Sequence, residues 1–325
     1  MGVTPVGNGE RRPALGLILP ATLQGELPDH VGATSGSTPT SAQALSELCR
    51  RAEEGGADSL WAVDHLFWPH PINECLTTLA IAAAATRRPL LGSCVLQLPL
   101  RQPAAVAKQA SALQDLSQGR FILGLGVGSH PGEYAQVGVD FHQRGRLMDQ
   151  GIAAMHSAWG SAQNAAGYRQ QPASATVPLW IGGSSAAARR RAASVGDGWV
   201  PLFLTADEYG PDLALLRQEA AAAGRDPRCV ESAVVVFVRV GPDDQAPKEG
   251  ARWLSELYGV PPRAFERHLV AGRAEVCAAA LDRYVRAGAD HIVVMMAGDQ
   301  AVQQFSSLRA AFVDRTETVL AGVPA

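Results

Sequence analysis

Asp64-His65, in the segment SLWAVDHLFWP, is the pair of side chains best suited to acid–base work. It follows the apolar run Ser59–Val63 directly, and histidine titrates near neutral pH, so a group held there can give or take a proton. The same spacing fits a histidine that caps a strand or fills a core, and spacing alone leaves both readings open. Trp61, Phe67 and Trp68 beside it are equally core residues or the wall for a planar ligand. A second candidate is Gly182-Gly183-Ser184-Ser185, which joins the run Pro178–Ile181 to a helix-period segment. Glycines let backbone N–H groups approach a ligand, and a helix N-terminus favours an anion, so this loop is either a phosphate cradle or a plain turn. Arg189, Arg190 and Arg191 follow it and read as a solvated face, with room for one near the anion.

Small residues mark a third place. Gly92-Ser93-Cys94-Val95 leaves space for a flat ligand against the backbone, and Gly124, Gly126 and Gly128 alternate along Phe121–Val127, clearing one face of that strand. GLGVGSHPGEY fails the GxGxxG spacing, which excludes a dinucleotide fingerprint. His130 and Glu133 in this stretch are further acid–base candidates or exposed surface.

The elements that must position these residues repeat along the chain. Apolar runs at Ala14–Leu19, Ser59–Val63, Leu90–Leu96, Phe121–Val127, Pro178–Ile181, Gly198–Phe203, Ala233–Val240 and His291–Met296 read as strands buried on both faces, hence parallel. Helix-period segments alternate with them at Ala42–Glu54, Glu74–Thr86, Ala104–Leu116, Arg144–Trp159, Ala186–Val195, Ala206–Ala223, Ala274–Ala287 and Ala301–Leu320. Eight such pairs predict an α/β fold, a (β/α)8 TIM barrel, with an open doubly wound sheet as the rival. Ligands then bind at the strands' carboxyl ends. Ala21–Ser41, rich in Gly, Ser, Thr and Pro, follows the first strand as a lid or flexible connection. Gly241–Glu266, with three prolines and the apolar piece Trp253–Tyr258, could form a second cover. Ser161–Thr176 is a polar connection.

At 325 residues, 47% hydrophobic and 18% charged, the chain can bury one large core, so a single domain is expected over 13–325 after a loose tail at Met1–Arg12. A net charge of −3 without a basic run lacks the footprint of a nucleic-acid partner. Five scattered cysteines without a CxxC pair read as free, buried thiols in a reducing cytoplasm, not as metal ligands. No apolar run is long enough to span a membrane.

Taken together, ADSLWAVDHLF, LGSCVLQLPLRQPAAVAKQASALQDLSQGRFILGLGVG, GVDFHQRGRLMDQ, PLWIGGSS, GDGWVP and AGADHIVV resemble the bacterial luciferase-like family of flavin- and deazaflavin-dependent oxidoreductases. The resemblance runs from Leu15 to about Met296. It implies a luciferase-like barrel with insertions at its carboxyl face, often a homodimer, and a redox cofactor across the mouth. The ring would rest on a bulge carrying a non-prolyl cis peptide, here Cys94–Val95, and the Gly182–Ser185 loop would hold the phosphate. Cofactor contacts are implied at Asp64, Ser93, Cys94, Val95, Gly126, Ser129, Gly182, Gly183, Ser184 and Ser185. His65 matches the family's proton donor or acceptor. The V-D-H pattern is similar to users of coenzyme F420, a hydride carrier, and FMN with dioxygen is the alternative. That alternative brings in a separate reductase, and a non-catalytic flavin-binding relative is a further rival. A small-molecule substrate is implied either way. The family's sugar-phosphate dehydrogenases place a glutamate where this chain has Ser129 and a tryptophan where it has Pro69, so sugar-phosphate oxidation is not expected.

Overall fold

Strands with two apolar faces must be covered on both, and here they close on themselves. The computed structural model describes residues 12–20, 41–160, 170 and 177–321; the expected tail at Met1–Arg12, lid at Ala21–Ser41 and connection at Ser161–Thr176 fall almost wholly outside them. The strands are β1 (Ala14–Ile18), β2 (Ser59–Ala62), β3 (Leu90–Ser93), β4 (Leu96–Gln97), β5 (Phe121–Gly126), β6 (Leu179–Gly182), β7 (Gly198–Val200), β8 (Glu231–Val240), β9 (Leu269–Gly272) and β10 (His291–Met296). β1, β2, β3, β5, β6, β7, β8 and β10 pair in that order, and β10 pairs back to β1. Every pairing is parallel. This closed ring of eight is the TIM barrel, and it removes the open sheet as a rival.

Around it lie α1 (Ala42–Glu54), α2 (Cys75–Ala85), α3 (Pro103–Leu116), α5 (Arg144–Trp159), α6 (Ala186–Val195), α7 (Ala206–Ala222), α9 (Ala274–Arg286) and α10 (Ala301–Ala321), close to the expected ranges. Two helices were not assigned from sequence, α4 (Pro131–Gln136) and α8 (Ala246–Tyr258). The prolines around α8 hide its period, although Pro247 sits in the first turn, where the missing N–H costs nothing. α8 and β9 pack on the upper part of β8, so Gly241–Glu266 is a structured cover and not a loop. Among the described residues no helix is long and apolar enough to cross a membrane.

Alternation along each strand divides the core. Leu60 and Val236 face the helices, while Trp61 and Val235 fill the barrel with Ile18, Ile122, Trp180 and Val293. Trp61 and Trp180 lie with ring centroids 5.3 Å apart. Neighbouring strands make room by having no side chain: a Cβ on Gly92 would stand 2.1 Å from the Trp61 ring, and one on Gly198 2.5 Å from Trp180. Below them Trp61 Nε1 donates to Ser59 Oγ at 2.6 Å, and Ser59 lies 2.7 Å from His291 Nε2. Burial holds this histidine down at about 4, so it is neutral.

The predicted strand Leu90–Leu96 is interrupted. β3 stops at Ser93, a cis peptide joins Cys94 to Val95, and β4 resumes the pairing with Leu125 and Gly126 of β5. The break is at the bulge that the family resemblance implied.

Candidate active site

The loop after β2 turns His65 into the barrel mouth, where its side chain is 23% exposed and stacks on Trp68 with centroids 4.0 Å apart. Its Nδ1 lies 2.9 Å from Oε2 of Glu133, whose side chain is wholly buried. Local structure explains why the carboxylate is there. After β5 the chain turns through His130 into α4, with Pro131 in its first turn and the buried Tyr134 bonded to the Val127 carbonyl. This fixes Glu133 beneath the His65 loop, where Oε1 also accepts the N–H groups of Leu66 at 2.7 Å and Phe67 at 3.2 Å. Burial works to raise the Glu133 pKa, but bonds from His65, Phe67 and Gln97 outweigh it, so the group stays below its ordinary value and charged. Glu133 is therefore a buried partner of His65, not the exposed or substitute acid the sequence left open. A carboxylate on Nδ1 makes that nitrogen the donor and leaves Nε2 as the acceptor of the neutral ring.

Gln97, in β4, ties this pair to the strands. Its Nε2 donates to Glu133 Oε2 at 3.2 Å and to the Asp64 carbonyl at 3.0 Å. Asp64 is engaged within the protein. Its buried carboxylate accepts a two-pronged pair from Arg101 at 2.8 and 2.7 Å and the Gln97 N–H at 2.9 Å. Burial raises its pKa, with Arg101 opposing. The side chain thus braces the loop to β4. A carboxylate this deep needs a cation, and Arg101 supplies it.

The glycines of β5 and β6 also differ from expectation. A Cβ on Gly126 would lie 2.3 Å from Cγ2 of Val95, one on Gly182 2.6 Å from its Cγ1, and one on Gly124 1.9 Å from the Ser93 carbonyl oxygen. The cleared space at Gly126 is filled by the chain's own bulge, not left for a ligand. Ser93 Oγ donates to the Gly124 carbonyl at 2.8 Å, which directs that side chain into the sheet. Cys94 and Val95 themselves remain half-buried under the mouth.

Across the barrel, at the same carboxyl end, β6 runs into α6 through Gly183 (φ 107°), Ser184 and Ser185, all exposed. Trp199 Nε1 holds the Gly183 carbonyl at 3.0 Å, and Ser185 Oγ caps α6 by accepting from Ala188 N at 3.2 Å. The Ser185 hydroxyl is occupied, but the backbone amides at this helix start face solvent, an arrangement suited to an anion. Arg189 pairs with Asp212 and Glu219 of α7, and Arg191 with Asp149 of α5, so these two cations fasten helices together. Ser129 and His130 are exposed beyond β5.

Beside His65 a cavity of about 210 Å³ opens between β1, β10 and the end of α8, walled by Ile18, Val63, Trp68, Trp253, Tyr258 and Met295. His70 Nε2 bonds the Glu256 carbonyl at 2.9 Å and ties the β2 loop to α8.

A family model described as luciferase-like monooxygenase matches residues 26–259. The chain belongs to the luciferase-like monooxygenase family. A phthiodiolone/phenolphthiodiolone dimycocerosates ketoreductase of Mycobacterium kansasii is 28% identical over 252 residues, covering 66% of this chain and 68% of that one. The luciferase-like barrel is similar to a solved F420-dependent secondary alcohol dehydrogenase in complex with an F420-acetone adduct. That match has a TM-score of 0.75 at 19% identity and covers 93% of this chain and 99% of the other. It is also similar to the oxygenating constituent of 3,6-diketocamphane monooxygenase of Pseudomonas putida in complex with FMN. There the TM-score is 0.66 at 16% identity, with coverage of 91% and 95%.

The luciferase-like enzymes are flavin- or F420-dependent oxidoreductases. In this member the structure brings His65, Cys94, Val95 and the Gly182–Ser185 loop to one end of the barrel. It withdraws the side chains of Asp64 and Ser93 from the mouth. Three residues that matter to the geometry escaped the sequence reading: Gln97, Arg101 and Tyr258. Glu133 left a trace, as an acid–base candidate in the loop after Phe121–Val127, and nothing local connects it with His65.

Proposed function

We propose that the protein is a hydride-transferring oxidoreductase that interconverts a carbonyl and an alcohol on an organic small molecule, with coenzyme F420 as the redox partner. The single observation that carries this reading is the His65–Glu133 pair at the edge of an apolar cavity. The names of the relatives, a ketoreductase and an F420-dependent alcohol dehydrogenase, suggest the same chemistry. The residues present suit the cofactor: exposed amides at the start of α6 for its phosphate, and the half-buried Cys94–Val95 bulge as a support for its ring. When bound, the deazaflavin supplies or accepts hydride.

The protein's part is positioning and protonation. Neutral His65 takes the alcohol proton on Nε2 in the oxidative direction; protonated His65 gives it to the carbonyl oxygen in the reductive one. The Glu133 carboxylate stabilises the imidazolium formed in between and fixes the ring, while Asp64, Gln97 and Arg101 fix the loop that carries His65. Trp68 shields one face of the imidazole from water.

The test is titration of the purified apo-protein with F420 and with FMN, followed by absorbance and fluorescence, and then turnover of a ketone with reduced F420. Tight binding of F420 with turnover supports the reading. Tight binding of FMN alone, with oxygen consumption when a flavin reductase is added, replaces it with a monooxygenase.

A further inference from the structure

Tyr258, the last residue of α8, is packed among Trp68, Phe203, Phe237 and Phe265 with ring centroids 5.5 to 6.3 Å away. Its ring is thus held from several sides, but its hydroxyl is not. The only hydrogen-bond partner of that oxygen among the described residues is the thioether of Met295, at 4.0 Å, a weak acceptor. Tyr258 is half-buried, yet a phenol so packed among rings normally finds a partner of its own. This one opens instead on the cavity that His65 also lines. Burial and the nearby Cys94 thiol push the phenol's pKa up, so it keeps its proton. Among the described residues, the remaining lining is apolar apart from the two histidines and, at the rim, the carboxylates of Glu256 and Asp299.

Building on the carbonyl–alcohol reading above, we propose that Tyr258 is a second catalytic residue. It donates a hydrogen bond to the substrate oxygen while His65 Nε2 exchanges the proton, and the cavity selects an uncharged, apolar carbonyl compound. Tyr258 loses no proton in this role. Its hydroxyl stabilises the negative charge that gathers on oxygen as the carbonyl is reduced, and it holds the carbonyl in one orientation. The acidic rim, without a lysine or arginine among the described lining residues, disfavours a carboxylate or phosphate substrate.

Two probes of nearly one shape separate the oxygen from the hydrocarbon: acetophenone, and α-methylstyrene, in which CH2 replaces the oxygen. Trp68 and Trp253 line the cavity, so intrinsic fluorescence reports occupancy. The wild-type protein is expected to bind acetophenone at least about fivefold more tightly than α-methylstyrene, and Tyr258→Phe to lose most of that preference with an unchanged melting temperature. With reduced F420 and acetophenone, Tyr258→Phe should lower kcat about tenfold or more at unaltered F420 affinity. Equal preference and equal kcat in the variant overturn the role of Tyr258 and leave the F420 reading standing. Loss of preference in Tyr258→Phe, in a protein that never turns over with F420, keeps the oxygen site and overturns the cofactor. A wild-type protein that does not distinguish the two probes overturns the inference.

Discussion

Nδ1 of His65 lies 2.9 Å from Oε2 of Glu133, a residue 68 positions further along the chain and without solvent exposure. The pair joins the loop after β2 to the helix after β5, and it orients an imidazole that both touches the cavity and stacks on Trp68. Glu133→Gln keeps the shape and removes the charge that steadies an imidazolium. It should lower kcat by about 10- to 100-fold with little change in cofactor affinity, and His65→Ala should lower it at least as far. Steady-state kinetics on both variants, with cofactor titration, checks this.

Gly126 and Gly182 flank the Val95 side chain so closely that a methyl group on either must displace it. Gly126→Ala should cost about 1–3 kcal/mol. Adding Val95→Ala removes the methyl in the way, so the double variant should recover most of that loss. Urea unfolding of the two single variants and the double variant measures the coupling.

Asp64 and Arg101 form a buried pair in which each side chain needs the other. Arg101→Leu leaves a carboxylate uncompensated in the interior and should destabilise the protein by about 3–5 kcal/mol. Arg101→Leu combined with Asp64→Asn should be the milder change. Thermal melts of both, at neutral pH, test the order.

His291 titrates at about 4 in the folded protein against 6.5 when free. The unfolded chain therefore binds more protons between those values, and stability falls as pH drops from 6.5 towards 4, by about 3 kcal/mol from this group. The physical cause is a filled barrel: Ser59 meets Nε2, and a charge there has no water. Denaturation midpoints across this range should fall steeply in the wild type and less steeply in His291→Gln.

Ser184 is exposed at the start of α6. Ser184→Asp places a negative charge where the helix amides invite an anion, and should weaken cofactor binding about tenfold while leaving the melting temperature in place. Fluorescence titration beside a thermal melt separates the two.

The chain's own residues already determined the barrel. Eight apolar runs and their helices are local patterns set by burial on both faces, and GGSS before α6 and VDH after β2 are local as well. Tertiary structure alone decided which groups are free to act. Glu133 reads equally as an acid–base candidate or as surface until α4 folds it under His65; Asp64 reads as a mouth residue until Arg101 reaches it across 37 positions. Gly126 reads as room for a ligand until Val95 fills that room. Tyr258 hides in a proline-rich segment until α8 carries it over the strands. Strand and helix periods follow from backbone hydrogen bonding over a few residues. The partner of a buried charge or of a phenol is set by closure of the whole ring, and no short window of sequence contains it.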